Sequence, residues 1–342
     1  MKTAGLTKKR KIVITETEKP KPKSEEVLIQ TKAVGICGTD LSIYKGEHPQ
    51  AELPMVMGHE AAGVIMKLGS SVDVFTKGER VVVDPGLSCG KCWFCRRGSY
   101  YQCDNLETIG VNADKGAFAE YFTAPAANCY RLSQVMSWEE AAFVDTLACS
   151  LHSMNLLSSE WGEIIAVLGP GAAGLCFIQL AKLRGARKVI LTGTRSERLS
   201  LGKKLGSDVV INIKEEDDVV EKIRKETNGR GVDLSIVACG ASQAVRDAIS
   251  MTRKQGRIII YGVFTKPVDI IDVEAIMMKE LTVYGSAGAS WVYDAAISLI
   301  SSKRIKVKPM ITHRFKLEDL EKAFEIVEKR KEGYIKGVVI KY

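Results

Sequence analysis

Residues 164–174 read Ile-Ile-Ala-Val-Leu-Gly-Pro-Gly-Ala-Ala-Gly. A short apolar run, the form of a buried strand, breaks into G-x-G-x-x-G, and a helical pattern opens directly behind it. Each glycine has its own duty in such a turn. Gly169 permits the tight bend, Gly171 lets the main chain approach a ligand, and Gly174 lets helix and strand pack closely. With Pro170, Ala172 and Ala173 they form a loop at a helix N-terminus, where free amides and the helix dipole favour negative charge. Strand before and helix after point to an α/β sheet, and the loop points to the diphosphate of a dinucleotide.

The surrounding pattern agrees. Strand-like runs fall at 163–168, 188–192, 209–213, 232–238, 257–262 and 281–285. Helical periodicity falls at 172–184, 196–205, 217–226, 242–252 and near 273–278. Six strands with helical crossovers predict an open, doubly wound parallel sheet, the Rossmann arrangement. Outside this block, residues 1–33 read as short strands (11–15 and 27–30 among them), and 116–132 return to strand-like alternation. Ser137 with Glu140 three positions on forms a capping box, and an apolar helix follows it. A helix at 291–301, a strand at 310–315, a helix at 317–329 and a strand at 335–341 close the chain and are expected to pack onto the first domain.

At 342 residues the chain exceeds one hydrophobic core, so two domains are expected. Its 46 % apolar and 26 % charged residues are ordinary for a globular protein. No stretch is long and apolar enough to span a bilayer, and Met1-Lys2-Thr3-Ala4-Gly5 has no signal-type apolar region, so no membrane contact and a cytoplasmic location are expected. The net charge of +8 comes from lysines spread among glutamates, which reads as a solvated surface rather than a nucleic-acid patch.

Nine cysteines in a long chain of this kind suggest metal sites rather than disulfides. Cys89, Cys92, Cys95 and Cys103 are spaced C-x2-C-x2-C-x7-C, the closed tetrahedral thiolate set of a structural zinc. An iron–sulfur cluster is the main competitor, but the bacterial ferredoxin run has a shorter last gap and a proline after the fourth cysteine, where this chain has Asp104. Elsewhere, Cys37 stands in Gly-Ile-Cys-Gly-Thr-Asp and His59 in Gly-His-Glu, and only four histidines occur in all. A thiol and an imidazole so placed suggest two ligands of a second zinc. Asp145, among apolar residues, reads either as an N-cap of the following helix or as a third ligand.

GICGTD at 35–40, GHE at 58–60, the four-cysteine lobe at 89–103, the fingerprint at 169–174 and KPMITHRF at 308–315 together resemble the zinc-dependent medium-chain alcohol dehydrogenases. The polyol, threonine and bacterial secondary-alcohol branches are the similar ones. The resemblance implies a GroES-like, β-rich catalytic domain (1–150, with the zinc lobe), a Rossmann domain (151–290) and a C-terminal segment (291–342) completing the catalytic domain. It implies two zinc ions per chain, one structural and one catalytic. Carried over by position, Cys37 and His59 match the first two catalytic-zinc ligands. Asp145, seven residues before His152, matches the third, as in the secondary-alcohol enzymes; polyol and threonine enzymes have glutamate there. Glu60 matches a carboxylate beside the metal that can bind it. Thr39 matches the hydroxyl residue that passes on the alcohol proton. The histidine that often follows that hydroxyl residue by three positions is Ser42 here, so a water chain past Ser42 is expected to complete the relay.

The reaction so implied moves a hydride between an alcohol and a nicotinamide coenzyme, giving a ketone or aldehyde. Gly193, Thr194 and Arg195 end the second strand of the sheet, and Gly240 is a further coenzyme candidate. No carboxylate stands at that tip to bind a ribose 2′-hydroxyl, whereas Arg195 and Thr194 suit a 2′-phosphate, so NADP(H) is favoured over NAD(H). The related polyol and threonine enzymes carry an arginine shortly after the sixth strand. Here residues 285–291 read Gly-Ser-Ala-Gly-Ala-Ser-Trp, which favours a small secondary alcohol or diol. Tyr44, Trp93 and Trp291 are candidates to line its pocket or to be ordinary packing. Two rival classes share part of these features: a zinc-free quinone or enone reductase of the same superfamily, and a nucleic-acid-binding zinc protein. The resemblance also implies a homo-oligomer, dimer or tetramer.

Overall fold

The structure is a computed structural model and describes residues 1–158, 160–264, 266–329 and 333–340. The chain divides into two compact units, Met1–Ala148 with Gly288–Tyr342, and Cys149–Ala287.

The Cys149–Ala287 unit is a six-stranded sheet whose paired strands all run parallel. In spatial order its strands are Val209–Asn212, Lys188–Gly193, Ile164–Leu168, Val232–Val237, Thr252–Ile260 and Thr282–Gly285. Numbered along the chain this is 3-2-1-4-5-6, the doubly wound order that switches direction beside the first strand. Ile164–Leu168 is buried along its whole length, with a strand on either side and helix Ala172–Leu183 packed on it. The core gathers Ile164, Ala166, Leu168, Ile190, Ile211, Ile223, Val237, Val245, Ile249 and Ile258. Thr282–Gly285 is mostly exposed, with Val283 at 45 %.

The other unit is β-rich. Its main sheet has the path Cys129–Arg131, Arg80–Val83, Glu60–Leu68, Glu26–Ile36, Lys336–Ile340 and Ile311–Phe315, with Tyr121–Pro125 also on Glu26–Ile36. Strands from both ends of the chain therefore share one sheet: Lys336–Ile340 runs antiparallel to Glu26–Ile36, and Val338 faces Gly35. Its core includes Leu6, Ile29, Ile43, Met57, Ile65, Phe118 and Phe324.

Several boundaries differ from the periodicity. Glu26–Ile36 is far longer than the 27–30 run, because pairing with three other strands holds it extended through the polar Lys32. Helix Gly38–Lys45 was not legible: its cap is Cys37, whose amide donates to Asp40 Oδ2 at 2.8 Å. The helix expected from Trp291 starts at Tyr293, because Trp291 has φ +60, outside helical space. Strand Thr252–Ile260 begins five residues before the expected position, through a polar stretch that carries no apolar signal. Position 341, the expected end of the last strand, lies outside the described residues. The Ser137/Glu140 capping box is formed, with Ser137 N on Glu140 Oε2 at 3.0 Å and Glu140 N on Ser137 Oγ at 3.4 Å.

Candidate active site and metal centres

Cys37 directly follows the long Glu26–Ile36 strand, His59 directly precedes the neighbouring Glu60–Leu68 strand, and Glu60 opens it; Gly35 pairs directly with Glu60 in the sheet. The pairing carries side chains 22 positions apart to one place. A ligand atom from each of Cys37, His59 and Glu60 lies within 4.8 Å of the others. His59 and Glu60 are buried and Cys37 is half-buried.

Each member has a support. Asp40, fully buried, holds the Cys37 amide through Oδ2, and its Oδ1 lies 3.3 Å from His59 Nδ1. That contact is off the line of a hydrogen bond, and neither atom has another hydrogen-bond partner. Burial works against the imidazolium, yet the Asp40 carboxylate outweighs it and holds His59 well above its ordinary pKa. The carboxylate charge beside Nδ1 favours a proton on that nitrogen and leaves Nε2 for a metal. Glu60 Oε1 accepts from Lys336 Nζ at 2.6 Å and from Thr146 Oγ1 at 3.1 Å. Gly35 is required beside it, since a Cβ there would run into the Glu60 carboxylate.

Asp145 lies in helix Val144–Asn155, in its first turn rather than at an N-cap, and it falls outside the close group of ligand atoms. It is nonetheless buried nearby: desolvation, then the charge of Glu60, push its carboxyl up, while His59 pulls the other way. Its Oδ1 accepts the hydroxyl of Tyr293. Thr39 Oγ1 is 3.7 Å from Cys37 Sγ, and Ser42 is buried on the same helix. His48, which the sequence reading passed over, is a half-buried imidazole whose pKa is lowered by burial and then by the charge of His59.

The second cluster is Cys89, Cys92, Cys95 and Cys103, whose four sulfurs lie within 4.8 Å of one another. Cys92 Sγ and Cys95 Sγ are 3.4 Å apart, and the amides of Cys89 and Asn105 point at Cys103 Sγ. Backbone amides of Lys91 and Cys92 bring the Cys89 thiol down to about 6. Four converging sulfurs, with amides favouring thiolate, fit a closed tetrahedral ion. Thiol, imidazole and carboxylate converging in one buried group are the donor set of a zinc of the open kind.

In the Rossmann unit the fingerprint is laid out with the separate duties its glycines were assigned. Gly169 has φ +114, and a Cβ on Gly174 would strike the Gly169 carbonyl. Gly171 is the N-cap of helix Ala172–Leu183, and a Cβ there would meet nothing within 4 Å. That open space at a helix start, flanked by Pro170, Ala172 and Ala173, is the cradle a diphosphate fits. Gly193 packs against the Pro170 ring, and Gly240 against Val263. Thr194 is exposed, and Arg195 is half-exposed as the N-cap of helix Ser196–Lys204.

The aromatic candidates separate. Tyr44 is a core residue, stacked on Phe324 at 4.7 Å, so it does not line a pocket. Trp93 is 59 % exposed under the Arg97 guanidinium. Trp291 is 71 % exposed and donates its indole N–H to the Gly98 carbonyl at 2.7 Å.

Two family models match the chain: the alcohol dehydrogenase GroES-like domain over residues 23–134, and the zinc-binding dehydrogenase domain over residues 172–302. Sorbitol dehydrogenase of Bacillus subtilis (strain 168) is 33 % identical over 328 residues, covering 95 % of this chain and 93 % of the relative. The chain belongs to the zinc-dependent medium-chain alcohol dehydrogenase family. A further member, L-threonine 3-dehydrogenase of Pyrococcus furiosus, is 36 % identical over 328 residues, covering 94 % of this chain and 93 % of its own length. Among solved members, a dehydrogenase from Sinorhizobium meliloti 1021, assigned as zinc-binding and bound to NADP, superposes with a TM-score of 0.93 at 31 % identity over 99 % of each chain. The GroES-like and Rossmann architecture expected of the family is the one observed.

Proposed function

We propose that this medium-chain dehydrogenase oxidises a small secondary alcohol or diol, reversibly, with NADP(H) as preferred coenzyme and two zinc ions per chain. The observation that carries the reading is the buried convergence of Cys37, His59 and Glu60, with Asp145 beside them. Cys37, His59 and a carboxylate, Asp145 or Glu60, would hold the catalytic zinc, and Cys89, Cys92, Cys95 and Cys103 the structural one.

When bound, a zinc at this site would supply Lewis acidity toward the substrate oxygen, and a nicotinamide coenzyme would supply the hydride acceptor. The chain's own groups do the rest. Asp40 stands beside the His59 ring at Nδ1, and the Lys336 ammonium donates to Glu60 Oε1 and holds that carboxylate in place. Thr39, beside Cys37, is the hydroxyl that accepts the alcohol proton, and Ser42 and water pass it on.

Coenzyme choice rests on the tip of the Lys188–Gly193 strand. Thr194 and Arg195 follow it with no carboxylate, and a 2′-phosphate gains charge-assisted hydrogen bonds from a guanidinium there. Nine cysteines without a disulfide support a reducing, cytoplasmic compartment. Pairing of copies is supported by the sheet edge at Thr282–Gly285, where Val283 is exposed, and by exposed Ile270, Met277 and Met278 in the same unit.

The deciding experiment is a panel of alcohols and ketones assayed with NADP(H) and NAD(H), with metal content measured on the same sample. Turnover of secondary alcohols or diols, preference for NADP(H) and two zinc ions per chain are expected. Enone or quinone reduction by metal-free protein would overturn the reading in favour of the zinc-free branch.

A further inference from the structure

Tyr293 is fully buried, and its hydroxyl donates to Asp145 Oδ1 across 148 positions of sequence. Its ring lies flat on that of Tyr130, with centroids 5.0 Å apart and planes inclined by 18°. A buried hydroxyl donating to one carboxylate oxygen restricts the rotamer of the carboxylate and leaves the second oxygen, Oδ2, available for a further bond.

The segment that delivers Tyr293 is itself pinned. Two residues earlier, Trp291 has φ +60, a conformation a bulky side chain holds only where its surroundings over-determine it. Those surroundings are the four-cysteine lobe. The Trp291 indole N–H is held by the Gly98 carbonyl at 2.7 Å, its main-chain N–H points at the Tyr100 hydroxyl at 3.4 Å, and its ring stands edge-on to Tyr100 at 5.0 Å. Gly98 and Tyr100 lie between Cys95 and Cys103. Tyr100 in turn donates its hydroxyl to the buried Asp84. The lobe thus anchors the strand of chain that carries the hydroxyl to Asp145.

We propose that Tyr293 is a positioning residue for the catalytic metal: its hydroxyl orients Asp145 as a ligand, and the four-cysteine lobe holds it there through Trp291. The proposal rests on the reading of Asp145 as a zinc ligand. Aspartate is one methylene shorter than the glutamate of the polyol branch, so a fixed rotamer matters more here. Outer partners of metal ligands change metal affinity by about 10–100-fold when removed, and that is the size of effect expected.

The test is zinc affinity, measured on the full chain by competition with a chelating dye, with the catalytic ion identified as the one lost in Cys37→Ser. Tyr293→Phe keeps the ring and its stack on Tyr130 and removes only the hydroxyl. It is expected to weaken the catalytic zinc by about 10–100-fold while the lobe keeps its ion, which also reports an intact fold, and NADP(H) binds as before. Asp145→Asn is expected to weaken the same ion at least as much. If Asp145→Asn holds that zinc like the unaltered protein, Asp145 is not a ligand and the proposal falls with that reading. If Asp145→Asn loses the zinc but Tyr293→Phe does not, Asp145 stands as a ligand and Tyr293 has no positioning role. Weakening of both ions together in Tyr293→Phe overturns it as well, since the hydroxyl would then serve the fold at large.

Discussion

Lys336 Nζ lies 2.6 Å from Glu60 Oε1, both side chains almost wholly withdrawn from water. Their nearness holds Lys336 above its ordinary pKa although burial works against the ammonium. Removing one member of a buried pair leaves an uncompensated charge and costs about 3–5 kcal/mol. Lys336→Met is therefore expected to lower the unfolding free energy of metal-stripped protein by about that amount, measured in denaturant. Lys336→Met with Glu60→Gln should recover most of it; no recovery would mean the ammonium acts through something other than Glu60.

The two ligand clusters should separate by mutation. Cys37→Ser or His59→Ala is expected to yield folded protein with one zinc per chain, retained by the cysteine lobe. Lewis-acid assistance is worth several kcal/mol, so kcat should fall by about a thousandfold or more. Elemental analysis together with turnover checks this, and full turnover without the second ion would contradict the assignment.

Arg195 offers a direct reading of coenzyme choice. A charge-assisted hydrogen bond to phosphate is worth about 1.5–3 kcal/mol, so Arg195→Ala should cut kcat/KM for NADP(H) by about 10–100-fold. Values for NAD(H) should hardly move, and Arg195→Asp should favour NAD(H) outright. Equal losses with both coenzymes would show that Arg195 serves the helix start rather than a 2′-phosphate.

Asp84 supplies a pH signature. Burial pushes its carboxyl up to about 6 from the ordinary 3.8, although the hydroxyls of Tyr100 and Tyr101 and the amide of Gly86 all favour the charged form. Between about pH 4 and 6 the folded chain therefore keeps a proton that the unfolded chain has released. The stability this group contributes is complete below the unfolded value and is lost as pH rises through about 6, by about 3 kcal/mol in all. Asp84→Asn does not titrate, so the unfolding free energy of the unaltered protein relative to the variant should decline from pH 4 to 7 and then level off. A constant difference over that window would rule the shift out.

What could be read in advance was local. The 169–174 loop, the Ser137/Glu140 box and the four cysteines carry their signals within a dozen or so residues, and each formed as its spacing required. Helix Gly38–Lys45 escaped notice because its cap is a cysteine, a residue with no capping preference, aided by Asp40. The helix near 291 was placed early because periodicity does not register one left-handed residue. Above all, the supports of the site were invisible: Tyr293 to Asp145 spans 148 positions and Lys336 to Glu60 spans 276. No local pattern announces such partners; only the paired strands bring them together. Family resemblance supplied Cys37 and His59, but not the tyrosine or the lysine behind their neighbours.

The shared sheet has a consequence for how the polypeptide leaves the ribosome. Strand Glu26–Ile36 waits for Lys336–Ile340, which is synthesised only after the entire Cys149–Ala287 unit has emerged. The inserted unit has its own parallel sheet and can mature first, whereas the flanking one must hold an open seam until translation is nearly over. Through that interval Glu60 lacks the Lys336 ammonium, and the buried group of Cys37, His59 and Glu60 acquires its final charge balance among the last events of biogenesis.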